Sequence, residues 1–190
     1  MEASAMSYPA SLEIDYIPKA NRFTTFFRPI LLFPIMIIMI MIRGVLVAPV
    51  VLMILFKKKY PRWWFEWNLN MTRFSYRINA YVYLLTHDYP NTDEEQSVHI
   101  EMEYPENGTL SRGLPLIKWL LAIPHFIVLA ILMIAVGVLT IIAWFSVMIF
   151  DRYPKAFFNF VVGVLRWNLR VQAYTNLLIT DKYPPFSLKS

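Results

Sequence analysis

Residues 153–184 read YPKAFFNFVVGVLRWNLRVQAYTNLLITDKYP, and residues 60–90 read YPRWWFEWNLNMTRFSYRINAYVYLLTHDYP. Tyr60-Pro61 aligns with Tyr153-Pro154, Arg73 with Arg166, Arg77 with Arg170, Ala80-Tyr81 with Ala173-Tyr174, and Leu84-Leu85 with Leu177-Leu178. Asp88-Tyr89-Pro90 then aligns with Asp181, Tyr183 and Pro184 after one inserted residue. Each stretch opens on a Tyr-Pro turn and continues as a helix carrying two arginines inside apolar sequence.

Spacing sharpens this reading. Glu66, Asn70, Arg73 and Arg77 lie four, three and four residues apart, and so do Asn159, Gly163, Arg166 and Arg170. At about 100° per residue each set forms one narrow stripe on a helix. These helices are expected over about 62–86 and 154–179. An unpaired arginine at the centre of a membrane span costs roughly 2.5–3.5 kcal/mol. Three arrangements lower that cost: the helix lies in the interface, it spans with the stripe turned onto polar partners, or both stripes line a polar cavity. Arg73, Arg77, Arg166 and Arg170 are therefore either structural ties or a site for anionic headgroups, since the planar guanidinium fork suits oxyanions. An oligomer contact is the third possibility. Arg43, which has no basic match in the second half, is paired by depth with Glu66.

Working outward, each half follows one plan. A short segment alternates apolar and acidic residues, at Leu12–Tyr16 and at His99–Tyr104, as a half-buried strand does. A basic start follows, with Arg22 and Arg28 in one half and Arg112 and Lys118 in the other. Asn21 and Ser111 are placed to cap the helix that follows. The long apolar elements carry Pro34 and Pro124 at matching places, where a kink or joint is expected. The C-terminal Pro185-Phe186-Ser187-Leu188 reads as a further short strand. The domain organisation is a first membrane repeat over 1–90, an acidic linker over 91–97 and a second repeat over 98–190.

Composition points the same way. Of 190 residues, 57% are hydrophobic and 16% charged, against about 25% charged in ordinary soluble domains. Ile30–Phe56 and Trp119–Phe150 each exceed the roughly 20 apolar residues that cross a bilayer. The fold class expected is an all-α membrane protein of two tandem helix hairpins, about four membrane helices, with a small extramembrane β element. Both Tyr-Pro turns are expected on one side of the membrane, and their Lys/Arg density favours the cytoplasm. The first 25 residues lack a long apolar run, so a cleavable signal peptide is not expected.

The net charge of +5 sits beside apolar segments, which favours lipid headgroups over nucleic acid as the partner. A homo-oligomer or a membrane-complex partner is also compatible. No cysteine occurs, which removes thiolate chemistry. His87, His99 and His125 are not at metal-ligand spacing, and His125 reads as a buried, hydrogen-bonded imidazole. Phosphate-loop, dinucleotide and nucleophile-elbow motifs are missing, so no cofactor and no catalytic residue are expected. A non-enzymatic lipid-binding or scaffold subunit leads; a small transporter or channel component, and then an intramembrane enzyme, follow.

LAIPHFIVL at 121–129, AWF at 143–145, RYPKAFFNFVVGVLRWNLRVQAY at 152–174 and TDKYPPFSL at 180–188 resemble an integral-membrane family of uncharacterised role, domain of unknown function 4389. The first half resembles it more loosely and departs at Ile35, Lys57–Lys59 and Trp63-Trp64. The resemblance implies tandem family units in a membrane, most often the bacterial inner membrane. It implies no activity and no site residue.

Overall fold

The computed structural model describes residues 8–17, 22–43, 60–92, 96–105, 110–111 and 113–189. In chain order these form β1 (Ala10–Ile14), α1 (Arg22–Arg43), α2 (Arg62–Val82), β2 (Val98–Met102), α3 (Leu114–Leu121), α4 (Ile123–Phe150) and α5 (Lys155–Thr175). Among the described residues the protein is mostly helical, with one two-stranded sheet.

The sheet organises everything else. β1 and β2 pair antiparallel, with Leu12 opposite Ile100. Leu12, Ile14, Val98 and Ile100 are buried, whereas Ser11, Glu13, His99 and Glu101 are exposed. Period-two alternation thus makes a ribbon with an apolar underside and an acidic outer face. The strands occupy 10–14 and 98–102, about two residues earlier than expected.

Each strand rests on the arginine helix of the opposite half. The Tyr16 hydroxyl donates to the Tyr153 carbonyl at 2.7 Å, and the Tyr16 ring meets Phe158 edge-on at 5.0 Å. In mirror fashion, the Tyr104 hydroxyl donates to the Tyr60 carbonyl, and the Tyr104 ring meets Phe65 at 5.2 Å. Tyr16 follows β1 and Tyr104 follows β2. Because the strands are antiparallel, the two Tyr-Pro turns lie at opposite ends of the molecule. α2 and α5 therefore run antiparallel. The Tyr76 hydroxyl of α2 donates to Asn168 Oδ1 of α5 at 3.0 Å and ties them together.

The long apolar helices cover the other side of this layer. On α5, Phe158 faces the ribbon; Trp167 is nine residues on, about half a turn round, and donates to His125 of α4 at 3.0 Å. On α2, Phe65 faces the ribbon, while Phe74, also nine residues on, joins Ile35 of α1 in packing against Ile78 and Tyr81. The result is three layers: the ribbon, then α2 with α5, then α1 with α4.

α4 buries a single stripe, His125, Leu129, Val136, Ala143 and Val147, and leaves Ile127, Ile131, Ile134, Ile141, Phe145 and Ile149 exposed. It is the helix among the described residues that is long and apolar enough to cross a membrane, and only 17% of its most apolar window is buried. A core helix of a soluble protein would be mostly buried. The expectation of about four such helices narrows to this one; the rest of the Ile30–Phe56 stretch falls beyond Arg43, outside the described residues.

Local chemistry sets the element ends. Ala122 separates α3 from α4, and Pro124 sits in the first turn of α4, where a missing N–H costs nothing. α1 instead runs through Pro34 without a break. Gly113, not Ser111, precedes α3, and no side chain caps it; the Ser111 amide is taken by Asp181. Asn21 lies outside the described residues. α2 and α5 stop about four residues short of expectation, because Leu84 (φ 63°) and Leu178 (φ 55°) turn into the left-handed region and end each helix. The Pro185–Leu188 tail is irregular rather than a strand.

Candidate functional site

The four arginines of the sequence stripes all point to the ribbon and the loops beside it. Arg73 Nε donates to the Ile100 carbonyl at 3.1 Å, and Arg166 Nε donates to the Leu12 carbonyl at 2.7 Å. Main-chain bonds from Asp15 to Ser97 and from Glu103 to Pro9 mark the odd-numbered β1 positions as hydrogen-bonded pairs. Leu12 and Ile100 are therefore a non-hydrogen-bonded pair, whose carbonyls point out from the two edges. Each arginine takes one of these open edge groups from the other half's strand.

The second arginine of each stripe holds its own half's following loop. Arg77 Nη1 donates to the Asn91 carbonyl at 2.8 Å. Arg170 Nη1 donates to the Lys189 carbonyl at 2.9 Å, and its Nη2 donates to that of Ser187. Gly163 belongs to the same stripe, and a Cβ built there would lie 3.0 Å from both the Cβ and the carbonyl oxygen of Leu188. The absent side chain is what lets the tail lie against α5. The Tyr8 hydroxyl donates to the Arg170 carbonyl at 3.1 Å, and burial pushes that phenol well above its usual range.

Glu66 and Asn159, which complete the stripes at their N-terminal ends, are exposed. Glu66 accepts from Arg62 Nε at 3.2 Å, on the same exposed turn. The side chain of Arg43, its expected partner, lies outside the described residues.

Sequence reasoning missed a second pair of cations. Arg28 and Lys118, each six residues before the matching prolines, are 2% and 0% exposed. Arg28 lies over the Tyr81 ring at 4.4 Å and donates to the Tyr81 carbonyl and to His87 Nδ1, both at 2.9 Å. Lys118 lies over the Tyr174 ring at 4.9 Å, donates to the Thr180 carbonyl at 2.6 Å and pairs with Asp181 at 2.8 Å. Tyr81 and Tyr174 are matched residues of the two stretches. The signal was available: a cation at the same place in two apolar segments, each with a matched tyrosine downstream.

His125 is fully buried, as expected. Its Nδ1 accepts from Trp167, so the proton resides on Nε2, and its ring stacks on Phe186 at 3.9 Å. The tail thus closes over the start of α4.

A cleft of about 380 Å³ lies against Tyr8, Ser11, Leu69, Arg73, Glu101 and Glu103, and there are two more among the described residues. One of about 460 Å³ is lined by Thr25, Arg28, Leu84, Ile141, Trp144 and Phe145, and is almost wholly apolar. The other, of about 290 Å³, lies between α2 and β2 against Arg73, Arg77, Gln96, His99 and Glu101. No group of three or more His, Cys, Asp or Glu side chains suited to a metal ion occurs among the described residues.

Residues 115–187 match the family model described as Domain of unknown function (DUF4389). The DUF4389 segment comprises most of α3, all of α4 and α5, and the tail as far as Ser187. It therefore contains Lys118, His125, Gly163, Arg166, Arg170 and Asp181, and leaves Arg73 and Arg77 outside. No curated protein and no solved structure matches the chain.

Proposed function

We propose that this is a non-enzymatic membrane scaffold, built from two related halves, whose apolar layer lies along one leaflet while the ribbon faces water. The carrying observation is the half-turn between Phe158 and Trp167, which sets the ribbon and α4 on opposite faces of α5. The ribbon runs along α5, and α4 runs back along it. An upright α4 therefore sets Glu13 and Glu101 at hydrocarbon depth, where charged side chains cost about 2.5–3.5 kcal/mol each at the centre. A flat α4 removes that cost. Its single-helix layer, roughly 10 Å thick, suits the 5–10 Å insertion depth of interfacial helices. The strand exchange, with each ribbon edge held by the other half, supports the two-repeat organisation and makes the halves interdependent.

The test uses the absence of native cysteine. Ser111 and Arg152 are exposed near opposite ends of the α3–α4 segment. Single variants Ser111→Cys and Arg152→Cys, reconstituted in vesicles, are labelled with a membrane-impermeant maleimide. Flat placement gives labelling of both positions from the same side. Labelling from opposite sides overturns it and favours the second reading, a transporter component. That reading draws on the charged groups at both ends of α4, Lys118 with Asp181 and Arg22 with Asp151.

A further inference from the structure

We propose that the cleft between α2 and β2 binds a small carboxylate monoanion through Arg73 and Arg77. Of the two arginine stripes, one is filled by the chain itself. In the second half both Nη groups of Arg170 are engaged by the carbonyls of Ser187 and Lys189, and Leu188 is seated on Gly163. Nothing comparable covers the first half among the described residues. Asn70 stands where Gly163 does and is exposed. Its side chain blocks the close backbone approach that Gly163 permits, so a segment like the tail does not fit.

What remains open is a cleft of about 290 Å³ with Arg73 and Arg77 in its wall. Arg77 has one carbonyl partner where Arg170 has two, and Arg73 uses only Nε. The other Nη groups of both have no acceptor among the described residues. The Gln96 side chain and the His99 ring add polar groups to the same wall, and Glu101 adds one carboxylate. Two guanidinium groups against the Glu101 carboxylate leave one guanidinium in excess, His99 Nε2 being paired with Asp15 at 3.2 Å. That balance fits a monoanion better than a phosphate dianion. A planar carboxylate also matches the guanidinium fork with two parallel N–H···O bonds. The volume is at the small end for a ligand cleft, about 300 Å³ and upward, which limits the ligand to a few heavy atoms beyond the carboxylate. This site does not depend on whether α4 lies flat or spans.

The test is a titration of the full chain in phosphatidylcholine nanodiscs with acetate, following the side-chain Nε–Hε NMR signals of the arginines. Arg73 and Arg77 are expected to shift saturably, while Arg166 and Arg170 stay in place. Arg77→Gln is expected to weaken acetate binding about tenfold, the effect of losing a hydrogen bond to a charged group. A chain ending at Phe186 keeps the ring on His125 but uncovers Arg170, whose signal is then expected to respond to acetate as well. Absence of a saturable shift, or equal movement of all four arginines in the full chain, overturns the assignment. So does tighter binding of inorganic phosphate at equal ionic strength. Movement on adding phosphatidylserine to the nanodisc, without any response to acetate, assigns the arginines to lipid headgroups and overturns it too.

Discussion

Arg166 Nε donates to the Leu12 carbonyl at 2.7 Å across 154 residues of sequence, while Arg73 makes the same bond to Ile100, the residue paired with Leu12. A two-stranded ribbon has two open edges and is marginal alone. Here each edge is held by a cation from the helix of the other half. Arg166→Gln is expected to lower unfolding free energy by about 1.5–3 kcal/mol, the contribution of a hydrogen bond to a charged group. Amide exchange in β1 should speed up with it. Denaturant titration of the variant in detergent within about 0.5 kcal/mol of the parent, the usual surface range, sinks the edge-holding role.

Gly163→Ala places a methyl 3.0 Å from the Leu188 Cβ and carbonyl. The carbonyl is main chain, so the tail has to move. Loosening of the tail is expected, with loss of the Phe186 stack on His125 and faster proteolysis after Lys182. Asn70→Gly, at the matching place on α2, is expected to leave proteolysis unchanged. Equal behaviour of the two variants would falsify the seat for Leu188.

Much of this architecture was legible in the residues. Alternation at Leu12–Tyr16 and His99–Tyr104 reports a one-face-buried strand wherever it occurs, and four-three-four spacing places Arg73, Arg77, Arg166 and Arg170 on stripes. Those are local periodicities. The strand exchange is not local: nothing in β1 says that it rests on α5 rather than α2, because both helices offer the same arginine spacing. The antiparallel sense of the halves follows from the Leu12–Ile100 register and was equally hidden. Arg28 and Lys118 were read as boundary charges because the matched tyrosines that receive them, Tyr81 and Tyr174, lie far downstream, beyond the reach of any local period.

The Lys118–Asp181 pair gives the fold a definite acid sensitivity. Burial pushes the Asp181 carboxyl up, but hydrogen bonds from Lys118 and the Ser111 amide together outweigh it and hold the group below its ordinary range. A carboxyl with a folded pKa below its unfolded value of about 3.9 contributes stability above that value. The contribution is lost as pH falls through the folded pKa. Burial pulls Lys118 down against its bond to Asp181, so the ammonium form loses some stability to desolvation and depends on its partner. Asp181→Asn is expected to flatten the acid limb of Tm against pH and to cost about 3 kcal/mol near neutrality, as breaking a buried pair does. An unaltered acid limb would show that other carboxylates set it.

Trp167 Nε1 donates to His125 Nδ1 at 3.0 Å, and both residues are buried. His125→Phe keeps the stack on Phe186 but orphans the indole N–H. Trp167→Phe orphans Nδ1 instead. Each single change is expected to cost about 1–3 kcal/mol, the desolvation penalty of an unpaired buried polar group. In Trp167→Phe the lost ring volume adds to that cost. The double variant removes both polar partners, so its cost should be smaller than the sum of the singles by at least about 1 kcal/mol. A double-mutant cycle on denaturant midpoints measures the difference. Strict additivity would mean that ring packing, rather than the hydrogen bond, holds α4 against α5.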